Sequence, residues 1–473
     1  MAKQPNVLWI CTDQQRYDTI GALGNPHAST PVLDAFIGEG TSFSNAFCQS
    51  PVCSPSRASF LTGRYPRTTG CRQNGQSIPK DEVLVSKLFR DAGYRCGLAG
   101  KLHLASCSDG KVEGRTDDGY DDFFWSHHPQ PDWPENAYTQ WLAEKGKTWD
   151  GLLEEDRSPY VRGGPPAEFH QTTWCADKTI EFIRANEGRP WFFSFNCFDP
   201  HHPFDPPAEY MERFPVEEMP LPSVHPAEAE RQTTFQKLDR EWAHDNPGEF
   251  HTGAMTDDDR RQVHAAYMAM VSLIDDQVGR ILEALRETGQ DRDTLVVFMS
   301  DHGEMLGDHG IYFKGPHFYD CQMRVPLVIR WPGGSVNAGR RIEGLVELVD
   351  LAPTLLDAGG LEVPQRMQGK SLLPMLRGEA ETEFVHEQVF AEYYNAWTHE
   401  DAYGSMLRTQ KEKIVVYHGT GQGEFYDLEN DPQEFLNLWE EPLVRDRRND
   451  LLARCFDASV FSMDPHPPRL GPF

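Results

Sequence analysis

Residues 53–64 read Cys53-Ser54-Pro55-Ser56-Arg57-Ala58-Ser59-Phe60-Leu61-Thr62-Gly63-Arg64. A free cysteine is usually a buried and chemically inert residue, so a single cysteine indicates no function. Here the cysteine stands in a Cys-x-Pro-x-Arg pattern, followed by a short apolar turn and Thr-Gly-Arg. We expect Cys53 at a turn before a helix of roughly residues 56–61, and a helix N-terminus favours anions and oxyanions.

The composition is that of a globular protein whose surface is strongly acidic. The chain has 473 residues, 39% hydrophobic and 11% aromatic, which predicts one large domain and a smaller one. The formal net charge of -28 disfavours nucleic acid and anionic membranes as partners, because both would be repelled at long range. A local cationic pocket can still bind a small anionic substrate.

Export and membrane insertion are not indicated. The apolar run at residues 6–11 is too short for a secretory signal and lacks a cleavage site, and no later run is long enough to span a bilayer. We therefore expect a cytoplasmic protein with free thiols. Its ten cysteines lack Cys-x-x-Cys spacing, which disfavours zinc-ribbon and redox-dithiol sites.

Short apolar runs alternate with amphipathic segments along most of the chain. The runs predict strands at residues 7–12, 42–47, 94–99, 191–197, 294–300 and 325–331. Helical spacing or capping signals predict helices that begin at Pro31 and that span residues 82–92, 257–288 and 350–358. This alternation is typical of an α/β domain.

Two regions differ from this pattern. After residue 380, the segments 389–394, 405–409 and 413–417 predict a smaller antiparallel sheet with helices, so we divide the chain into a catalytic domain (1–380) and a C-terminal domain (381–473). Residues 109–169 lack periodicity and are rich in tryptophan. These tryptophans either face a substrate or pack the insertion against the domain.

Polar side chains follow many of the predicted strands. Because ligands bind beyond the carboxyl ends of strands in open α/β sheets, we expect these side chains to meet. In chain order they are Asp13, Gln14, Cys53, Arg57, Lys101, His103, His201, Asp301, His302 and Lys314. Each alone is explained as a helix cap, a solvated charge or a surface histidine, but together with Cys-x-Pro-x-Arg they predict a site.

The residue types divide this set in two. One part can bind a divalent cation and consists of Asp13, Gln14, Asp301 and His302. Its donors are mainly oxygen atoms, which suit calcium, magnesium or manganese better than zinc. Positive charge and protons around an anion come from Arg57, Lys101, His103, His201 and Lys314. A cation and basic side chains around one oxyanion suit the hydrolysis of a sulfate or phosphate ester.

The chain resembles the formylglycine-dependent (cysteine-type) sulfatases of the alkaline phosphatase-like superfamily from residue 6 to about residue 435. The resemblance rests on residues 53–64, Gly100-Lys101-Leu102-His103, Ser300-Asp301-His302-Gly303, and Tyr426-Asp427-Leu428 with Asp431-Pro432. It implies an alkaline phosphatase-like α/β fold, with a large mixed central sheet flanked by helices. It also implies a smaller C-terminal α+β domain that contains an antiparallel sheet.

The resemblance implies that a formylglycine-generating enzyme oxidises Cys53 to formylglycine. The hydrate of this aldehyde would be a metal ligand and the nucleophile that attacks sulfur, giving a covalent sulfate hemiacetal. Arg57 is implied to hold the hydrate and the geometry of the metal ligands. Among the divalent cations we expect calcium, with manganese and magnesium as alternatives.

Basic side chains are implied to bind sulfate and to transfer protons. His103 matches the base that expels sulfate and restores the aldehyde, whereas Lys101 and Lys314 match residues that bind sulfate oxygens. His201, which directly follows a proline as in the family pattern, would assist the leaving alcohol together with Lys314. Asn74 occupies a position that reaches toward the substrate in related enzymes.

Two residue pairs depart from the common sulfatase pattern of paired aspartates and Asp-Asn. Asp13-Gln14 and Asp301-His302 resemble instead the phosphonate monoester and phosphodiester hydrolases of the same superfamily, whereas Gly100-Lys101-Leu102-His103 looks like the sulfatase form. We predict hydrolysis of a small anionic sulfate ester, with phosphonate monoester or phosphodiester hydrolysis as the alternative. A binding protein in which Cys53 stays an ordinary thiol is the hypothesis from another class. Self-association into a homo-oligomer is a further expectation.

Overall fold

The computed structural model describes residues 4–108, 110–129, 133, 135–245, 250–334, 336–379, 386–395 and 401–465. Its strands are Asn6–Thr12 (β1), Thr41–Phe47 (β2), Arg95–Gly100 (β3), Asp122–Trp125 (β4), Glu154–Ser158 (β5), Val161–Gly163 (β6), Trp191–Asn196 (β7), Thr294–Ser300 (β8), Arg324–Val325 (β9), Leu327–Arg330 (β10), Arg340–Glu347 (β11), Val389–Tyr394 (β12), Tyr403–Arg408 (β13), Glu412–Tyr417 (β14) and Gly423–Asp427 (β15).

The α-helices alternate with these strands. They are Pro31–Glu39 (α1), Cys53–Thr62 (α2), Pro66–Thr69 (α3), Val85–Asp91 (α4), Ala137–Glu144 (α5), Gln171–Ala185 (α6), Ala208–Met211 (α7), Glu228–Arg231 (α8), Thr234–Asp245 (α9), Asp257–Glu287 (α10), Asp320–Met323 (α11), Leu351–Ala358 (α12), Leu373–Leu376 (α13) and Arg445–Phe461 (α14).

The central sheet is large and mixed, as predicted. Its strand order is β11-β2-β10-β8-β1-β7-β3-β4, and β9 pairs with β2. The strands β8, β1, β7, β3 and β4 run parallel, whereas β10 is antiparallel to both β8 and β2. The parallel strands therefore direct their carboxyl ends to one edge of the sheet, which is where the predicted polar residues lie.

Hydrophobic side chains cover both faces of this sheet. In β1, Trp9 packs on one face with residues of α2, α4 and α12, while Leu8 and Ile10 pack on the other with residues of α1, α6 and α10. Strands buried on both faces read as continuous apolar runs, which explains why the sequence shows them clearly. Thr256 and Asp259 form a capping box at the start of α10.

The C-terminal part contains the predicted antiparallel sheet, in the order β12-β13-β14-β15, with α14 packed against it. Lys413 of β14 reaches back to the first part of the chain, where its Nζ lies 2.5 Å from Oδ1 of Asp320. The domain boundary that we predicted at residue 380 falls on residues 380–385, outside the described residues. It stays a prediction.

One local expectation was wrong. α2 begins at Cys53 rather than at residue 56, because Pro55 lies in the first helical turn, where a missing N–H removes no hydrogen bond. Residues 109–169, which lack periodicity in the sequence, contain β4, α5, β5 and β6. Trp125, Trp133 and Trp149 are buried, which favours packing of the insertion over contact with substrate.

Among the residues that the structure describes, none forms a helix that is both long and apolar enough to cross a membrane.

Candidate active site

Cys53 is the first residue of α2 and is buried. The residue before it, Val52, is extended and provides no side-chain cap. Asn74 supplies the missing acceptor, because its Oδ1 accepts a hydrogen bond from the Ser54 amide at 2.9 Å. Asn74 therefore lies next to the start of α2 and caps it, and its predicted reach toward the substrate stays a prediction.

Arg57 follows Cys53 by four residues, so both side chains lie on the same face of α2. Its Nε donates a hydrogen bond to Oδ2 of Asp301 at 2.8 Å, and its Nη2 donates one to Oδ2 of Asp13 at 3.2 Å. Its Nη1 donates to the Lys101 carbonyl oxygen at 2.9 Å. One buried guanidinium thus joins the ends of β1, β3 and β8 to the helix.

Asp13 and Asp301 directly follow β1 and β8, whose last residues, Thr12 and Ser300, are paired in register. Ligand atoms from Asp13, Cys53, Asp301 and His302 all lie within 4.8 Å of one another, and the four residues are buried. Burial alone would raise the pKa of Asp13, but Lys101 and Arg57 hold it far below the ordinary value. Asp13 is therefore an anion near neutral pH.

His302 directs a lone pair at this cluster. Its Nδ1 lies 2.8 Å from the Gly303 carbonyl, which can only accept, so Nδ1 carries the proton and Nε2 faces Sγ of Cys53 at 3.1 Å. Although burial lowers the pKa of His302, Asp301 and Cys53 outweigh it and raise this pKa. The position at Nε2 thus attracts a positive group, either a proton or a metal ion.

Gln14 lies beside the cluster rather than inside it. Its backbone φ is 66°, and its amide N–H donates to Oδ1 of Asp301 at 3.0 Å. The side-chain Oε1 accepts from Nζ of Lys314 at 2.7 Å, and Nε2 donates to Glu304. The side-chain oxygen of Gln14, which we predicted to be a cation ligand, therefore accepts a hydrogen bond from Lys314 in this arrangement.

Three positive or hydrogen-bonding groups surround the Cys53 sulfur. Nζ of Lys314 lies 3.0 Å from it, and Nζ of Lys101 lies 3.7 Å from it and 2.5 Å from Oδ2 of Asp13. Burial and Asp13 would raise the pKa of the Cys53 thiol, but Lys101, Lys314 and His302 lower it to about 7. The pocket therefore stabilises negative charge at position 53.

Lys101 and His103 follow β3 through a tight turn. Gly100 has a φ of 105°, and a Cβ there would lie 1.9 Å from the Asn196 carbonyl oxygen, so only glycine fits. Burial, and next Lys101, lower the pKa of His103 well below its ordinary value. His103 is thus a neutral imidazole near neutral pH, which is the form that a base requires.

His201 meets the site through Lys314, whose Nζ lies 2.8 Å from Nε2 of His201. Since Nδ1 of His201 lies 2.5 Å from the His202 carbonyl oxygen, the ring is protonated at Nδ1 and accepts at Nε2. Burial, and next Lys314, lower the pKa of His201. In this state Lys314 holds the proton that the pair shares.

Sequence reasoning missed two buried carboxylates that position the site. Glu113 accepts hydrogen bonds from the amide of His103 at 2.8 Å and from Nε1 of Trp125 at 3.0 Å, and also binds the amides of residues 104 and 105. Glu304 binds the side chain of Gln14. The Asp-His-Gly-Glu stretch after β8 contains a signal for Glu304, but no pattern in the sequence marks Glu113.

The predicted site residues therefore converge from seven separate segments of the chain. The sulfur of Cys53, the carboxylates of Asp13 and Asp301, and the lysines are in direct contact, and the remaining residues contact this group or act on it electrostatically. This arrangement can hold a cation beside a nucleophile and can neutralise an anion bound against it.

Comparisons with known proteins show the family of the chain. Residues 5–361 match the family model described as Sulfatase, and residues 307–459 match the model described as N-sulphoglucosamine sulphohydrolase, C-terminal. The chain is 30% identical over 470 residues to an arylsulfatase of Clostridium perfringens, covering 94% of this chain and 92% of that protein.

Two further similarities concern relatives with other names. The chain is 31% identical over 488 residues to the multifunctional alkaline phosphatase superfamily protein PehA of Trinickia caryophylli, covering 93% of each. The crystal structure of a phosphonate monoester hydrolase of Agrobacterium radiobacter superimposes with a TM-score of 0.85 at 26% identity, covering 98% of this chain and 96% of that one. From the extent of the family match and the similarity to an arylsulfatase, the chain belongs to the sulfatase family of sulfuric ester hydrolases.

Proposed function

We propose that the protein hydrolyses a sulfate monoester to an alcohol and inorganic sulfate, with formylglycine at position 53 as the nucleophile. The observation that carries this proposal is the contact of the Cys53 sulfur with Lys314 and His302, at 3.0 and 3.1 Å, beside two buried carboxylates. A structural cysteine needs no such surroundings. A residue that bears negative charge during a reaction does.

The donors at the ends of β1 and β8 fit one divalent cation. Asp13 and Asp301 supply oxygen atoms, and the free lone pair of His302 points at the same region. When bound, such an ion would polarise the ester and favour the ionised nucleophile. Mainly oxygen donors suit calcium, with manganese or magnesium as alternatives. Gln14 would join them after its amide oxygen leaves Lys314.

The formylglycine supplies a geminal hydroxyl pair in place of the thiol, and a maturation enzyme is the implied partner. Lys314 and Lys101 are the groups that would bind the sulfate oxygens, since their Nζ atoms are 3.0 and 3.7 Å from the sulfur of Cys53. Both are buried, so their charges are screened little by solvent. They would therefore neutralise charge on the transferring group.

Proton transfer falls to His103 and to the pair of Lys314 and His201. The lowered pKa of His103 keeps it ready to accept the proton of the second hydroxyl group, which expels sulfate. The leaving alcohol needs a proton, and the contact of 2.8 Å between Lys314 and His201 provides one donor. His201, which accepts in this contact, orients the ammonium group and can restore its proton.

The residues that would bind the cation also support a second candidate activity at the same site. The pairs Asp13-Gln14 and Asp301-His302 resemble the phosphonate monoester and phosphodiester hydrolases, and the superposition with such a hydrolase supports this candidate. Both substrate classes present an anionic centre with an alcohol leaving group, so the lysines would serve either. We propose sulfate ester hydrolysis as the main activity.

The test is a substrate panel measured on protein from a host that forms formylglycine. Aryl sulfates, sugar sulfates, an aryl phosphonate monoester and a phosphodiester are compared by kcat/KM, with Cys53→Ala as the inactive variant. Cys48→Ala, which removes another buried cysteine near the same helix, is the matched control and should keep activity. Mass analysis of the peptide that contains residue 53 shows whether the aldehyde is present.

Each outcome decides between the hypotheses. A kcat/KM that is highest for a sulfate ester and is lost in Cys53→Ala supports the proposal. A higher value for the phosphonate monoester or phosphodiester supports the second candidate. An aldehyde at position 53 without turnover of any ester overturns both.

A further inference from the structure

A second cluster of metal-binding side chains lies beside the active site, where β3 and β4 end. The two strands are parallel neighbours, and Gly100 of β3 pairs in register with Trp125 of β4. His103 follows the end of β3 by three residues and His127 follows the end of β4 by two, so both leave the sheet at the same edge. One ring nitrogen of each histidine and the sulfur of Cys107 lie within 4.8 Å of one another.

The histidine nitrogens of this cluster lack hydrogen-bond partners. Among the residues that the structure describes, neither Nδ1 of His103 nor Nε2 of His127 has one, and both atoms are buried. His103 as a whole is only 9% exposed. Nδ1 of His127 lies 3.3 Å from Nδ1 of His128, and a proton on the His127 side of this contact leaves Nε2 with a free lone pair. Buried polar atoms are normally paired, so these nitrogens call for a ligand.

The two imidazoles are in the form that binds a metal ion. Burial, and next Lys101, lower the pKa of His103 and of His127, so both rings are neutral near neutral pH. The ammonium group of Lys101 would repel a cation. It lies 2.5 Å from Oδ2 of Asp13, however, and this carboxylate offsets its charge.

The thiol of Cys107 provides the third donor and an entry path. Cys107 and His127 are half-buried, so an ion can reach the cluster from the surface. Burial, and next Glu113, raise the pKa of the Cys107 thiol to about 12. A metal ion deprotonates a thiol that coordinates it, and the negative charge of Glu113 would attract the ion.

We propose that His103, Cys107 and His127 bind a zinc ion that inhibits the enzyme. Imidazole and thiolate are the donor types that zinc prefers. Zinc bonds of about 2.0–2.3 Å place tetrahedral ligand atoms about 3.3–3.6 Å apart, so small side-chain rotations would close this cluster around one ion. A neutral imidazole has a single free lone pair, and the ion would occupy the one with which His103 accepts a proton. The inhibition therefore rests on the proposed function, whereas the binding does not.

The binding test uses Co²⁺ as a probe, because a thiolate bound to cobalt gives a charge-transfer absorption band that oxygen and imidazole ligands do not give. The parent protein is the full chain with Cys53→Ala, which leaves the catalytic cation site without a thiol. It is stripped with a chelator and titrated with Co²⁺. Cys107→Ala, His127→Phe and Asp301→Asn are added to this parent, and Cys321→Ala, which removes another half-buried cysteine, is the matched control.

The band should appear in the parent, in Asp301→Asn and in Cys321→Ala, and zinc should remove it by displacing cobalt. Cys107→Ala should abolish it, and His127→Phe should weaken cobalt binding at least about tenfold. No band in the parent, or a band that persists in Cys107→Ala, would overturn the proposal. A band lost in Asp301→Asn would also overturn it, because the thiol would then serve the catalytic ion. If Cys107→Ala does not fold, His127→Phe decides, since undiminished binding rejects the site and weakened binding supports it.

The inhibition is tested on enzyme that contains formylglycine, with the catalytic cation in excess. The rate of each variant with Zn²⁺ is divided by its own rate without zinc. The wild type and Cys321→Ala should be inhibited at zinc concentrations at least about tenfold lower than Cys107→Ala. Equal zinc sensitivity of the wild type and Cys107→Ala would overturn the inhibitory role. No ester turnover by the wild type would refute the proposed function instead, and the cobalt band would still decide the zinc site.

Discussion

Protein in which Cys53 has not been converted should contain one unusually reactive thiol. The pKa of Cys53 is lowered from 9.0 to about 7 by Lys101, Lys314 and His302, against the effects of burial and Asp13. The nine other thiols have raised pKa values, because full or partial burial disfavours the charged thiolate. At pH 7, about half of Cys53 would be thiolate, against about 1% for a thiol with a pKa of 9, a difference of about 50-fold.

The perturbation that tests this reasoning is Lys314→Met. The ammonium group of Lys314 lies 3.0 Å from the sulfur of Cys53 and is one of three groups that lower the pKa of Cys53. Removing it should raise the pKa of Cys53 by about one, to about 8, so the thiolate fraction at pH 7 falls from about one half to about one tenth. Lys178→Met, which changes a lysine on the outer face of α6, should leave the value unchanged.

The assay is alkylation with iodoacetamide from pH 5 to pH 10. Protein is made in a host that does not form formylglycine and is kept free of metal with a chelator, because a bound cation would also lower the pKa. The rate at Cys53 is followed by mass analysis of its peptide. A wild-type midpoint at or above about pH 8.5 would refute the reasoning, as would equal midpoints for the wild type and Lys314→Met.

Three further predictions follow from buried charges. Because burial and Lys101 lower the pKa of His103, the acidic limb of kcat/KM for a sulfate ester should lie below pH 6.5, and a limb above that value in a pH-rate profile would contradict this role. Glu113→Gln should lower the free energy of unfolding by about 1–3 kcal/mol in urea titrations, since its amide group cannot accept from every N–H that the carboxylate binds. The pKa of His386, 2.9 Å from Asp350, is raised from 6.5 to about 9, so His386→Gln should cost about 2 kcal/mol of stability at pH 7. This cost should be largest below pH 6.5 and should vanish as the pH rises through 9, and a constant cost in chemical denaturation would contradict it.

The sequence was sufficient for the fold class, and for placing Asp13 and Asp301 at one edge of the sheet, because both depend on strongly buried strands. β1 and β8 are continuous apolar runs that end in Asp13 and Asp301, and parallel pairing brings those two ends together. Cys53 could be placed near a helix start from its motif. Pro55 concealed the true start of that helix, because proline is compatible with its first turn as well as with a preceding loop.

The positioning carboxylates could not be predicted in the same way. Glu113 lies in a segment without periodicity, and its role depends on four N–H groups that approach it only in the folded chain. The tautomer of His302 and the pairing of Lys314 with His201 likewise depend on single hydrogen bonds. A sequence pattern indicates which residue types meet, but not which of their atoms face each other.

Glu304 explains why an amide rather than a second carboxylate follows Asp13. The side chain of Gln14 binds Glu304 through Nε2 and Lys314 through Oε1, so it is a donor to the acid and an acceptor from the base. An aspartate at this position would place two buried carboxylates against each other, and burial already raises the pKa of Glu304. The departure from paired aspartates is thus accommodated by Glu304, three residues beyond Asp301. An amide is neutral, so Gln14 does not neutralise the charge of Lys314, and this charge remains available for the anion binding that we propose at Cys53.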